Sequence, residues 1–577
     1  MKRLLGAAGL MGAGWLAAAM LLAAWLGLAG VTPAQAAGGL LKVGVLEEPK
    51  SLNPWLATDT WSSRVVRLIY DPLYIRDPKT LDLVPWLAES LPKLDFEQHT
   101  YTVRLRKAKW SDGTPFTAED VAFTAQLILD FKIPLYYDIW DNVTKIEVLD
   151  PQTVRFTLKD PQATFVSRTM LTPIVQKAQW TAIAAEAQKA EKPLVKLRGA
   201  KLDKPIGTGP FKLEQWQHGV LLQLVANPHF FGKGQTISGH TLGPHISSLV
   251  LKVIGTADAA ILALRKGDID MYWNGVQSGF LPELEQTKDI QLFHGKKSAL
   301  YFLGFNLRRP PMSDAAFRRA VAVLVDRDFI VKRILQGAGE PMMTIIPQGN
   351  AFYHNPDVNT HGGGLDHEQR LKAAYEVLKK AGYTWQTPPV DAQGKVGQGQ
   401  GLRMPDGKPV GDLAVLTPPA DYDPNRAMAG MIIQEWLKEL GVPAASRPMA
   451  FSAMLQQVKA KHDFDLFVLG YGHLNLDPDY LRSFFHSSQD KHGGWNMSGY
   501  RDKDFDAVAD RSEAEMDPAR RRKLIFDMQK MVMEDVPYLP LYNPALVEAV
   551  RTDKFTGWVE MVDGIGNLWS FCNVKAK

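Results

Sequence analysis

Cysteine is almost missing from this chain: among 577 residues there is one, Cys572, close to the end. A single thiol excludes an intramolecular disulfide framework and any cysteine-based zinc site. An excess of one charge is missing too. Lys and Arg total 66 against 62 Asp and Glu, a formal charge of +4 that falls to about +2 without Lys2 and Arg3. No basic footprint for nucleic acid is present. The signatures of hydrolysis and phosphate handling are absent as well: there is no G-x-S-x-G elbow and no G-x-x-x-x-G-K-[ST] loop. His367-Glu368 is followed by Leu371 where a zinc helix needs its second histidine. His354, His361 and His367 are spread through a glycine-rich stretch and are expected as solvated loop residues, not metal ligands. Arg520 to Lys523 is expected as a solvated helix face. Asp and Glu pairs are numerous, but nothing in their spacing assigns acid and base roles. No catalytic residue, metal or cofactor is expected, although an exported hydrolase on an unfamiliar scaffold stays open as an alternative.

What is present begins with the N-terminus. Lys2-Arg3, an apolar run from Leu4 to Gly30 and a small-x-small site near Ala36 predict an export signal over residues 1–36. The run is also long enough to span a membrane, so an uncleaved anchor is the alternative. No cysteine stands near the cleavage region to carry a lipid, which favours a periplasm. The remaining length exceeds what a single core fills, and predicts two or three lobes.

The most informative stretch is Tyr101 to Asp130. Tyr101, Val103 and Leu105 alternate with polar residues as in a half-buried strand, and Asp112-Gly113 supplies a turn. Thr117 and Asp120 form a capping box ahead of an apolar helix through Val121, Phe123, Leu127 and Ile128. A hairpin is predicted over Lys145 to Lys159, and helices over 257–267, 314–324, 327–335, 367–381 and 425–440. Ala299 to Asn306 and Phe464 to Gly470 read as buried strands, and Thr387 to Asp412, rich in proline and glycine, as a mobile loop.

Lys109 to Val121, KWSDGTPFTAEDV, resembles the signature of family five of the bacterial extracellular solute-binding proteins, the oligopeptide and dipeptide receptors of ABC importers. Further matches follow in order: PWLAES at 85–90, IGTGPF at 206–211, FRRAVAVLVDRDFIV at 317–331, SGYRDKDFDAV at 498–508, and Glu515 to Asn543. The resemblance implies an α/β fold: a two-lobed periplasmic-binding-protein clamshell with an extra small α/β subdomain and two hinge crossings. Lobe I would comprise 37–60, 205–300 and 540–577, its extra subdomain 61–204, and lobe II 301–539. The implied activity is capture of a peptide or related solute in the cleft and delivery to the permease subunits of an ABC importer, by a monomer that binds no nucleic acid. Service to a chemoreceptor is a further option.

The resemblance also places candidate ligand residues. Tyr422, Tyr471, Trp495 and Asn496 would come from lobe II and Trp273 from lobe I, with Thr60 and Trp61 bordering the cleft and His473 beside Tyr471. Aromatic walls would give apolar area without charge selectivity, though each of these rings has packing in a core as its alternative. Relatives hold a peptide ammonium with an aspartate three positions after the cleft aromatic, here Leu474, and dipeptide receptors clamp the carboxylate with an arginine two residues before the matched tyrosine, here Ala420. Asp477 and Asp479 match a structural aspartate-proline element. Free dipeptides are therefore expected to be poor ligands, and a longer or end-blocked peptide, a sugar or another neutral compound better ones.

Overall fold

The computed structural model describes residues 39–577; the predicted export signal lies outside the described residues. Two mixed sheets, each covered by helices, make up the α/β clamshell fold. The first has seven strands in the order Ile290–Gly295, Leu546–Arg551, Met271–Tyr272, Leu40–Val45, Ser248–Val253, Leu221–Ala226 and Phe211–Gln217. Leu41, Val43 and Val45 are fully buried at its centre, and their strand runs parallel to both neighbours. The second has six, in the order Gly339–Pro341, Tyr538–Pro544, Leu300–Phe305, Leu466–Tyr471, Leu413–Thr417 and Ala444–Pro448.

The chain passes between the sheets twice, and the passages are neighbours. Residues 296–299 join Gly295 of the first sheet to Leu300 of the second, and Ala545 joins Pro544 of the second to Leu546 of the first. Asn543 Nδ2 donates to the Lys297 carbonyl at 2.8 Å, which ties one crossing to the other. The strand Tyr538–Pro544 thus belongs wholly to the second sheet, and the return crossing falls later than the boundary at 540 read from the sequence.

A separate four-stranded sheet, Lys93–Asp95, Thr100–Arg104, Thr153–Leu158 and Val143–Asp150, carries the Tyr101 to Asp130 unit. The strand, the turn at Gly113 with φ of 90° and the helix Ala118–Phe131 are formed where the pattern puts them. Asp120 does more than cap: one carboxylate oxygen accepts from Thr117 N–H and the other from Lys177 N–H, both at 2.9 Å. The G-T-G-P element has a steric cause. The Gly207 and Gly209 backbones lie on the end of the helix Thr60–Ile69, where a Cβ would fall 1.8 Å from Ile69 O and 2.5 Å from Leu68 O.

Three expectations are corrected. Residues 387–412 are laced by backbone hydrogen bonds, such as Gln400 N–H to Thr387 O at 2.8 Å, into a folded-back ribbon. His361 is buried and bonded to the Met533 carbonyl, because the glycine-rich segment folds under the helix Pro518–Asp535. Arg521, within the run expected to be solvated, is buried in a bidentate pair with Asp477 at 2.8 Å to each oxygen. Helical period decides this: Arg521 shares a face with buried Ile525 and Met528.

Candidate functional site

Strand direction locates the site. In the first sheet three parallel strands end at Val45, Val253 and Tyr272, and the antiparallel Leu546–Arg551 starts at that same end, opposite Gly295. In the second sheet the parallel strands Leu413–Thr417 and Leu466–Tyr471 point the same way, and the latter ends at Tyr471, paired with Leu300. Both sheets therefore turn the carboxyl ends of their parallel strands toward the crossings, the position where open α/β sheets bind ligands. A surface depression of about 790 Å³ in the second lobe lies at the other end of the Leu300–Phe305 strand, away from the crossings, and two of its arginines, Arg308 and Arg501, are paired with Asp490.

On the first-sheet side, Trp273 directly follows the strand Met271–Tyr272, and Thr60 and Trp61 open the helix Thr60–Ile69, which Asp59 caps by accepting from Ser62 N–H at 2.9 Å. Thr60 is exposed. Trp61 is buried, as is Trp273, only 1% exposed; the two rings meet edge to face at 5.8 Å, and Phe571 packs on Trp273 at 5.0 Å. The Arg64 guanidinium sits 4.9 Å from the centre of each indole and donates to the Trp273 carbonyl at 3.0 Å. The expectation of Trp273 as a stacking platform is corrected: its ring is filled in on the protein side and supports Arg64. Glu548, cross-strand from Trp273, is 1% exposed, and burial pushes its carboxyl up to about 7 against the pull of the Ile565 N–H and Arg64.

On the second-sheet side, Tyr471 lies in a ring stack between Phe302, at 5.7 Å and 14°, and Phe484, at 4.7 Å and 11°. Its two faces are taken, which corrects the expectation that a ligand stacks there. Its hydroxyl is buried without a partner, and burial pushes its pKa up. Trp495 stands 6.3 Å from Tyr471 and is 45% exposed, with the Lys459 ammonium 3.4 Å from its ring centre. Tyr422 is 57% exposed; it stacks on Phe451 at 5.0 Å, with Arg426 against both rings. Asn496 is corrected outright. It is fully buried, its amide donates to the Phe485, His486 and Tyr500 carbonyls and its oxygen accepts from Gly499 and Tyr500, so it shapes a turn and presents nothing to a ligand. His473 is largely exposed and bonds Asp563, 3.0 Å away on the C-terminal segment. Leu474 is buried at the crossing, where the Ser298 hydroxyl donates to its carbonyl at 2.9 Å.

The structure thus brings Tyr471, His473 and Trp495 to one side of the crossings and Trp61 and Trp273 to the other, with Tyr422 beyond the end of the Leu413–Thr417 strand. Sequence reasoning missed Arg64, Lys297, Glu548 and Asp563. Two of these left a signal. Arg64 follows Trp61 by three positions and so shares its helical face, and Glu548 is a lone charge in a strand otherwise apolar from Leu546 to Val550.

The model of the middle region of bacterial extracellular solute-binding proteins, family 5, matches residues 82–493. The oligopeptide-binding protein AppA of Bacillus subtilis (strain 168) is 27% identical over 519 residues, 88% of this chain and 86% of that protein. The probable D,D-dipeptide-binding periplasmic protein DdpA of Escherichia coli (strain K12) is 26% identical, over 92% of this chain and 94% of its own length. The solved structure of the Bacillus subtilis AppA in complex with a nonapeptide superposes with a TM-score of 0.65 at 25% identity, covering 94% of this chain and 99% of that one. The chain is a solute-binding protein and not an enzyme. It belongs to family 5 of the bacterial extracellular solute-binding proteins.

Proposed function

We propose that this protein is exported to the periplasm, captures a peptide between its two sheets and delivers it, as a monomer, to the membrane-spanning subunits of an ABC importer. The observation that carries this reading is the meeting of both sheets' parallel-strand ends at two adjacent crossings, with exposed aromatic side chains beside them. AppA and DdpA, whose names state an oligopeptide and a D,D-dipeptide, support the ligand class. Among the described residues no helix is long and apolar enough to cross a membrane, so anchoring would rest on the N-terminal segment alone.

In this reading Tyr422 and Trp495 supply ring faces, Tyr471 stands beside Trp495 as packing, and His473 and Thr60 supply polar rims. Leu474 and Ala420 carry no charge for the two ends of a dipeptide, and a desolvated ammonium without an anion is costly. The ligand is thus a longer or end-blocked peptide, held by stacking and amide contacts. Mass spectrometry of compounds released from the denatured protein tests this. Peptides are expected; recovery of sugars or other non-peptides alone would refute it.

A further inference from the structure

The first-sheet side of the crossings holds two cations, Arg64 and Lys297, that among the described residues form no ion pair with a carboxylate. Arg64 is pinned by the two indoles and spends one N–H on the Trp273 carbonyl. A guanidinium has five N–H donors in a planar fork, and among the described residues the Trp273 carbonyl is the only protein acceptor bonded to them. Lys297 stands on the crossing 296–299, and its ammonium has no protein acceptor among the described residues. Burial disfavours each cation more than the attraction of Glu548 and Asp563 favours it, and Arg64 adds repulsion to Lys297.

Two carboxylates, Glu548 and Asp563, lie near enough to attract both cations, and each has another partner. Glu548 turns one oxygen to the Ile565 N–H, and with its carboxyl pushed up to about 7 it carries only part of a charge at neutral pH. Asp563 accepts from Ser298 N–H at 2.9 Å and faces His473 at 3.0 Å. Among the described residues neither of them forms an ion pair with Arg64 or Lys297. Arg64, its rigid fork held against indole faces, and Lys297, near enough to be repelled by it, together suit a planar anion.

We propose that Arg64 and Lys297 form an anion subsite that takes a carboxylate of the bound ligand at the floor of the cleft. It rests on the peptide-capture reading for the identity of the rest of the ligand. The carboxylate is either the peptide's C-terminus or an acidic side chain, and the subsite replaces the clamp missing at Ala420 with one supplied by the opposite sheet and the crossing.

The test is calorimetric, with N-acetylated alanine peptides of about five residues in three forms: free C-terminal acid, C-terminal amide, and amide with one internal glutamate. An acid form is expected to bind the unaltered protein about 30-fold or more tighter than the neutral amide. Whichever acid form does so identifies the source of the carboxylate. Arg64→Met and Lys297→Met should each bring the ratio of acid to amide affinity close to one. Equal binding of all three forms, or an advantage that survives in both folded variants, would overturn the subsite. Masses of the compounds released from the native protein separate the two readings. A non-peptide acid whose binding falls in both variants would keep the subsite and refute peptide capture, and compounds with no acidic group would refute the subsite.

Discussion

His473 Nδ1 lies 3.0 Å from Asp563 Oδ2, and this contact joins the end of the second sheet's Leu466–Tyr471 strand to the C-terminal segment of the first lobe. Asp563 also accepts from Ser298 on the crossing, and its backbone is left-handed, with φ of 68°. The two partners are therefore unequal. His473→Ala removes an exposed pair and is expected to cost about 1 kcal/mol or less. Asp563→Ala removes a hydrogen bond as well and places alanine in a conformation it disfavours, about 2 kcal/mol together. Asp563→Asn, which tolerates that backbone, should fall between them. Urea unfolding of the three variants checks the order.

Stability should decline as pH rises toward neutrality. Burial pushes Asp71 and Glu548 each up to about 7. Both carboxyls ionise near 4 in the unfolded chain. Between those values the folded state holds more protons than the unfolded state, so stability falls with rising pH, and the full penalty persists above 7. Glu548→Gln is expected to flatten this slope and to gain roughly 2–4 kcal/mol at pH 8 relative to pH 4. An unchanged slope in thermal unfolding from pH 4 to 8 would contradict it.

Asp477 acts in the other direction at acid pH. Burial opposes its charge, but Arg521 and the Ser167 hydroxyl hold it down to about 2. Its contribution is complete above its unfolded value near 4 and is lost as pH falls through 2. Arg521→Ala leaves a buried carboxylate without its ion-pair partner and is expected to cost about 3–5 kcal/mol. Arg521→Lys should recover only part of this, since it cannot reproduce the two-oxygen contact. Denaturant midpoints would show the ranking.

Gly207→Ala should prevent stable folding of the helix Thr60–Ile69 against its neighbours. A Cβ there meets backbone, not a flexible side chain, at 1.8 Å, so relief requires the backbone to move. Loss of soluble protein, or a drop of several kcal/mol (about 3 or more) in unfolding free energy, is expected. Gly219→Ala, where nothing lies within 4 Å of the added atom, serves as the comparison for φ strain alone.

The fold was legible where its causes are local. Alternation at Tyr101, Val103 and Leu105 and the Thr117–Asp120 box specify their strand and helix without help from distant residues, and the observed bounds agree. The site was less legible because an aromatic near a strand end looks the same whether it faces a ligand or a neighbour. Trp273 and Tyr471 were placed at the correct ends of their strands, yet Phe571 and Phe302, which pack on them, come from remote stretches of chain. Asn496 failed for a related reason: an amide in a glycine-flanked turn serves the turn's own backbone first. The contact of Arg64 with Trp273 depends on residues 209 positions apart, which no local pattern encodes.

Peptide capture by the cleft is tested most directly by titrating ligand-stripped protein with peptides of graded length in a calorimeter. A peptide of about four residues or more is expected to bind with micromolar affinity or better, roughly −8 kcal/mol, while free dipeptides give little heat. Trp495→Ala combined with Tyr422→Ala should weaken the longer peptide without unfolding the protein. No binding by any peptide, or dipeptides binding as tightly as longer ones, would contradict it.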